Sequence, residues 1–241
     1  MRLDRYLANL QYGTRREVKQ LIKANRVTVD GKKERDGSAA VPLGALVAVD
    51  GMPVGRDLQV YYLMNKPHGV VTATSDAKAR TVLDLVAPAD LRPGLYPVGR
   101  LDKDTTGLLL LTNDGALGHA LLAPKRHVPK TYLVTLASPL TATMQAQLEA
   151  GIAFQEFVSA PAAVKVRPDT AGCEIELTIH EGKFHQVKRM LKAVGNSVTA
   201  LGRIAMGPLQ LPPDLAEGTY RPLTAAELAS LAAVNEERIS K

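Results

Sequence analysis

The chain has 241 residues, 46% of them hydrophobic, which is enough for a packed core and for one large domain or a small one followed by a larger one. Its single cysteine, Cys173, excludes an intrachain disulfide and a cysteine-ligated zinc cluster, and no apolar run approaches the roughly 18 residues that span a membrane. The net charge of +6 is unevenly placed: residues 1–36 carry ten basic side chains against five acidic ones, so a polyanionic partner is expected for that segment above all. The opening MRLDRYLANL lacks the apolar core of a secretion signal, and with the cysteine usage this gives the expectation of a cytoplasmic protein.

In chain order, Leu3, Tyr6, Leu7 and Leu10 recur at helical spacing and Gly13 breaks the pattern. Thr14 and Glu17 then form a capping-box signature for a second helix with Val18, Leu21 and Ile22 on its apolar side. Arg15, Lys19 and Lys23 fall in one stripe beside that side. Arg16 and Arg26 are further candidate phosphate contacts. RVTVDGKKE reads as a strand turning at Asp-Gly into a hairpin. This helix–helix–hairpin unit, with RLDRYLANL, TRREVKQLIKANRVTVDGK and GALVAVDG, resembles the alpha-L (S-four-type) RNA-binding module over residues 1–50. In that family the second helix faces RNA, while the module itself says nothing about chemistry.

Residues 51–59, GMPVGRDLQ, read as a linker, and a second unit begins with the strand VYYLMNKPHGVV. TVLDLV is expected as a short helix or turn, GLLLLTNDG as a buried strand and GALGHALLAP as a short helix ending at Pro124. KTYLVTL and CEIELTIHE alternate as strands, and TATMQAQLEAGI is a helix with a Thr cap. FHQVKRMLKAVG is a helix ended by Gly195, VTALGRIAMGPL a strand, and TAAELASLAAVNEERI a helix with a Thr-x-x-Glu start. Strands and helices mix without a regular alternation, so the fold class is α+β.

The stretch GRLDKDTTG places Arg100, Asp102 and Asp104 just before Leu108–Leu111. In extended backbone the three side chains would share one side. By spacing alone three readings stay open: hard-cation ligands, paired carboxylates acting as acid and base on a glycosidic bond, or a turn whose acids satisfy backbone amides. The five histidines show no metal-ligand spacing, and His185 is read as an RNA contact, a helix cap or a packing residue, not a catalytic one.

The same stretch resembles the catalytic motif of the pseudouridine synthases, in their RsuA-like branch. LMNKPHGVV, KTYLVTL, EGKFHQVKRMLKAVGN and GTYRPLT extend that resemblance in the family's order over nearly the whole chain. It implies a catalytic domain over residues 60–235 with a mixed, largely antiparallel sheet. The implied reaction isomerises uridine to pseudouridine in small-subunit ribosomal RNA, with large-subunit RNA as the alternative substrate and a non-catalytic assembly factor as the alternative role. Within the branch, the implied target is the uridine numbered 516 in 16S RNA.

By the resemblance, Asp102 is the essential carboxylate, either as nucleophile or as the base that takes a proton from ribose. Lys188 is its cationic partner, Arg189 an RNA or structural contact, and Tyr132 the aromatic residue against the base. Arg100 is expected to hold RNA or to pair with Asp104, and Lys125 and Arg126, between helix and strand, to track phosphate. Asp104, Thr105 and Thr106 shape the loop. The reaction balance needs no cofactor and no metal. The partner implied is small-subunit RNA or an assembling small subunit, met by a monomer away from membranes.

Overall fold

The computed structural model describes residues 1–10, 12–42, 45–54, 59–123 and 126–236, so Lys125 lies outside the described residues. The chain divides into two compact units, Met1–Val60 with Ala89–Leu95, and Tyr61–Pro88 with Tyr96–Lys241.

The first unit holds helices α1 (Leu3–Asn9) and α2 (Arg15–Lys23) and strands β1 (Val27–Val29), β2 (Lys32–Lys33), β3 (Val47–Val49) and β4 (Met52–Val54). The capping box forms as its spacing predicts: the Thr14 hydroxyl accepts from the Glu17 amide at 3.3 Å, and the Glu17 carboxylate accepts from the Thr14 amide at 2.7 Å. The sheet runs β2-β1-β3-β4, all antiparallel. Both hairpins turn on Asp-Gly with positive φ at each residue, 49° and 77° at Asp30–Gly31 and 53° and 78° at Asp50–Gly51. That geometry matches the twist of the flanking strands and favours this dipeptide. β4 occupies the start of the predicted linker, because Met52–Val54 pairs with β3; residues 55–58 lie outside the described residues. Leu3, Leu7, Val18 and Ile22 close on Val27, Val47, Val49 and Val54. Burying that face leaves Arg15, Arg16, Lys19 and Lys23 exposed on α2.

The second unit is α+β. Its strands are β5 (Tyr61–Lys66), β6 (Tyr96–Pro97), β7 (Thr106–Thr112), β8 (Lys130–Leu136), β9 (Ala163–Val166), β10 (Glu174–Ile179), β11 (Val198–Met206), β12 (Leu209–Gln210) and β13 (Tyr220–Pro222). The helices are α3 (Gly115–Leu122), α4 (Ala142–Ala150), α5 (Gln186–Ala193) and α6 (Ala225–Glu236). The sheet runs β13-β5-β7-β11-β8-β10-β9, with β12 on β11 and β6 on β7. The β7–β11 pair is parallel and the other described pairs of this sheet are antiparallel. β9, AVKV, is a strand the sequence did not announce. Its side chains are largely exposed at the sheet edge, so no apolar alternation marks it.

The four leucines of β7 are all buried, two to each face. Leu108 and Leu110 pack with Leu63, Val98, Leu117 and Leu121. A strand covered on both faces reads as a continuous apolar run. Gly107, at φ 98°, starts this strand where it meets β11: a Cβ there would lie 2.2 Å from the Arg203 carbonyl oxygen, so the parallel pairing depends on the missing side chain. Asp114 caps α3 by accepting from the amides of Ala116 and Leu117 at 3.0 and 3.1 Å.

At the C-terminal helix, Thr224 and Glu227 form a second capping box, and the Arg221 guanidinium closes on the Glu227 carboxylate at 2.7 and 2.8 Å. The hydrogen bonds from Arg221 hold the Glu227 pKa down at about 2, against 4.5 for an ordinary glutamate. A depressed carboxylate stabilises the fold above its unfolded pKa and stops doing so as pH falls through the folded one. Glu227→Gln should therefore lose about 2 kcal/mol at neutral pH, with the deficit shrinking below about pH 4.5 and vanishing near pH 2. Chemical denaturation across pH measures it, and a deficit unchanged between pH 7 and pH 3 would contradict it.

Candidate active site

Asp102 stands on the loop between β6 and β7, and that loop is fastened from below. Lys66, the last residue of β5 and fully buried, donates to the carbonyls of Thr105 at 2.8 Å, Pro67 at 3.1 Å and Lys103 at 3.3 Å. The buried Thr72 hydroxyl donates to the Leu101 carbonyl at 2.8 Å, and the Gly69 amide donates to the Lys103 carbonyl at 2.8 Å. Residues 101–105 are thus held by hydrogen bonds on their carbonyls, which fixes the backbone and leaves the acidic side chains to project. Burial pulls the Lys66 pKa down to about 8, against the opposing pull of Asp104, Asp102 and Glu217.

The loop turns at Lys103–Asp104, with the Thr105 amide donating to the Asp102 carbonyl at 3.1 Å. The two carboxylates therefore converge through a turn, not by the alternation expected of an extended chain. Both meet Lys188 of α5, whose Nζ lies 3.1 Å from Asp102 Oδ2 and 2.6 Å from Asp104 Oδ1. Burial lowers the Lys188 pKa, but hydrogen bonds to Asp104 and Asp102 outweigh it and hold the group above the ordinary lysine value. The hydrogen bond from Lys188 in turn lowers the Asp104 pKa, partly offset by burial.

Neighbours on a helix point about 100° apart. Arg189 accordingly turns from the loop to Glu156 at 2.7 Å and lies over the Phe154 ring at 4.5 Å. His185 stands at the N-cap position of α5, but its side chain makes no cap hydrogen bond. It adopts the left-handed region at φ 50° and brings Nε2 to 3.5 Å from Asp102 Oδ1. A non-glycine residue in that region costs of order 1 kcal/mol, and such residues collect at functional sites.

An open cleft here is lined by Arg100, Asp102, Tyr132, His185, Lys188 and Leu201, among others. Tyr132, on β8, is buried, and Leu101, Ile179 and Val187 complete an apolar wall suited to a flat ring. Arg100 is exposed and makes no ion pair with Asp104, which Lys188 occupies instead.

The other RNA-contact candidates divide. Arg15, Arg16, Lys19 and Lys23 are exposed on α2, although Lys19 comes within 4.0 Å of Asp4. Arg26 closes its guanidinium on Asp50, and Arg126 is half-buried after α3. Sequence reasoning missed Lys66, Thr72 and the histidine–aspartate contact. The signal for Lys66 was a lysine ending an apolar strand just before proline. Among the described residues no group of three or more His, Cys, Asp or Glu is placed to hold a metal ion, and no helix is long and apolar enough to cross a membrane.

The RNA pseudouridylate synthase family matches residues 60–193, and the S4 domain family matches residues 1–47. The chain is 49% identical to the uncharacterized RNA pseudouridine synthase YtzG of Bacillus subtilis over 95% of its length and 97% of that protein's. It is 42% identical to the ribosomal small subunit pseudouridine synthase A of Escherichia coli K12 over 96% of its length and all of that protein's. A solved pseudouridylate synthase crystal structure superposes with a TM-score of 0.67 at 35% identity, covering 96% of this chain and 99% of that one.

Proposed function

The chain belongs to the RNA pseudouridylate synthase family, with an S4 domain at its N-terminus, and from that premise we propose that it isomerises one uridine of small-subunit ribosomal RNA. The observation that carries the proposal is the carboxylate of Asp102 held 3.1 Å from Lys188 in a cleft floored by Tyr132. The relative of known name that supports the small subunit shares 42% of its residues across its whole length. The target is the uridine numbered 516 in 16S RNA, and the enzyme acts as a cytoplasmic monomer.

In the reaction the bond from ribose C1′ to uracil N1 breaks and a bond from C1′ to C5 forms. The C5 proton leaves and N1 gains one, so atoms and electrons balance without an external reagent. Asp102 serves as nucleophile or takes a proton from ribose beside the everted nucleotide, with the Lys188 ammonium 3.1 Å from its carboxylate. Tyr132 packs against the base, with its hydroxyl near the departing C5 proton. Residues 60–235 form the catalytic domain, and the S4 unit adds affinity for RNA through α2.

Site-resolved detection of pseudouridine, after incubating purified protein with small-subunit RNA, tests the reading, together with mapping of both ribosomal RNAs in a deletion strain. Loss of a large-subunit pseudouridine alone would reassign the substrate. The S4 contribution has its own test. Replacing Arg15, Lys19 and Lys23 by Ala should weaken RNA binding and reduce the slope of log affinity against log salt by about 2–3, leaving turnover at saturating RNA unchanged. An unaltered salt slope would remove α2 from the RNA contact.

A further inference from the structure

The chain has three phenylalanines, and none is in the core. Phe154 and Phe157 pack on each other at 4.9 Å, beneath Arg189 and, for Phe157, Lys183 at 5.5 Å. Phe184 is 76% exposed and stacks on His185, with ring centroids 3.7 Å apart and planes inclined by 19°. Leaving a phenylalanine in water forfeits about 1.5–3 kcal/mol of burial, so its position adds little to folding. What the position does supply is an open aromatic face one ring removed from the reacting carboxylate, since His185 itself reaches Asp102 at 3.5 Å.

We propose that Phe184 is a stacking platform for the nucleobase next to the everted uridine, with Lys183 holding the adjoining phosphate. The proposal rests on the reading of this cleft as a pseudouridine synthase site. Everting a nucleotide strips its neighbour of a stacking partner, at a cost of a few kcal/mol. An aromatic ring restores that contact without regard to base identity, and base–aromatic stacks contribute about 1–3 kcal/mol each. Phe184 is pre-set for this by His185, whose ring backs it at 3.7 Å and itself lines the cleft. Lys183, exposed, lines the cleft and makes no ion pair among the described residues, so its ammonium is available to a phosphate. Arg189 is excluded from that task by Glu156.

The test uses the full chain and a short oligoribonucleotide containing the mapped uridine, with 2-aminopurine at either flanking position. Wild-type protein should quench the fluorophore at one flank. Phe184→Ala should abolish the quench and raise Kd about tenfold, while Phe184→Tyr keeps both near wild type. Lys183→Ala should keep the quench and lower the salt slope by about one. A Kd for Phe184→Ala within about twofold of wild type with the quench intact overturns the proposal. So does a fall in kcat with binding unchanged, the pattern expected if Phe184 merely props His185. Loss of binding to assembled subunits with naked RNA unaffected would mark a protein contact and equally overturn it. Pseudouridine formation by the wild-type chain on the same RNA separates the two levels. If it is absent, the reading of the cleft falls and the platform with it; if it is present and Phe184→Ala binds normally, the platform alone falls.

Discussion

Asp102→Asn should lower kcat for pseudouridine formation by about 10³-fold or more while leaving RNA affinity within a few-fold. The substitution keeps the size and the hydrogen-bonding reach of the side chain but removes its charge and its capacity to attack carbon or accept a proton. Asp104→Asn is the control for position. Asp104 is more exposed than Asp102, with side-chain accessibilities of 58% and 28%, and its shortest described contact is to Lys188. It orients the ammonium that Asp102 shares, so its loss should cost about tenfold, well short of the Asp102 effect. Single-turnover kinetics on the same RNA gives both numbers, and the reverse order would overturn the assignment of the essential carboxylate.

Lys188→Met should lower kcat by about 10²-fold with a smaller change in KM. The thioether fills much of the same volume but leaves two carboxylates facing each other without the cation between them. Lys188→Arg should recover part of the loss, because a planar fork keeps the charge but not the point geometry that serves both acids at once. A second readout follows from the Asp104 pKa, which the hydrogen bond from Lys188 lowers. In Lys188→Met that carboxyl should titrate at higher pH, closer to the ordinary 3.8, visible in the carboxyl carbon shift. An unshifted titration would show that the ion pair is not formed in solution.

Much of the frame was legible because its signals are local. The Thr14 and Thr224 capping boxes, the Asp-Gly hairpins and the leucines of β7 each follow from a few adjacent residues whose geometry the backbone dictates. The family motifs brought Asp102, Lys188 and Tyr132 together on paper, and the structure places all three around one cleft. What escaped depends on distant partners. Lys66 looks like an exposed charge at a strand end until residues 103–105 fold over it. The approach of His185 to Asp102 escaped because nothing in its neighbours announces a left-handed backbone at that N-cap position. Asp104 seemed only to shape a loop because the turn that aims it at Lys188 is set by hydrogen bonds from β5 and the segment after it.

The parallel pairing of Thr106–Gly107 with Gly202–Arg203 joins segments nearly one hundred positions apart, and Lys188 is almost as remote from Asp102. Contacts of such separation close late, because the intervening polymer must first be drawn in. During synthesis, then, the aspartate emerges after Lys66 and Thr72, which fasten its loop, but long before strand β11 and its counter-ion. The helices and strands of the S4 unit pair within residues 1–54, and Ala89–Leu95 join that unit later, so the nascent chain can assemble this part while still lacking any reactive centre.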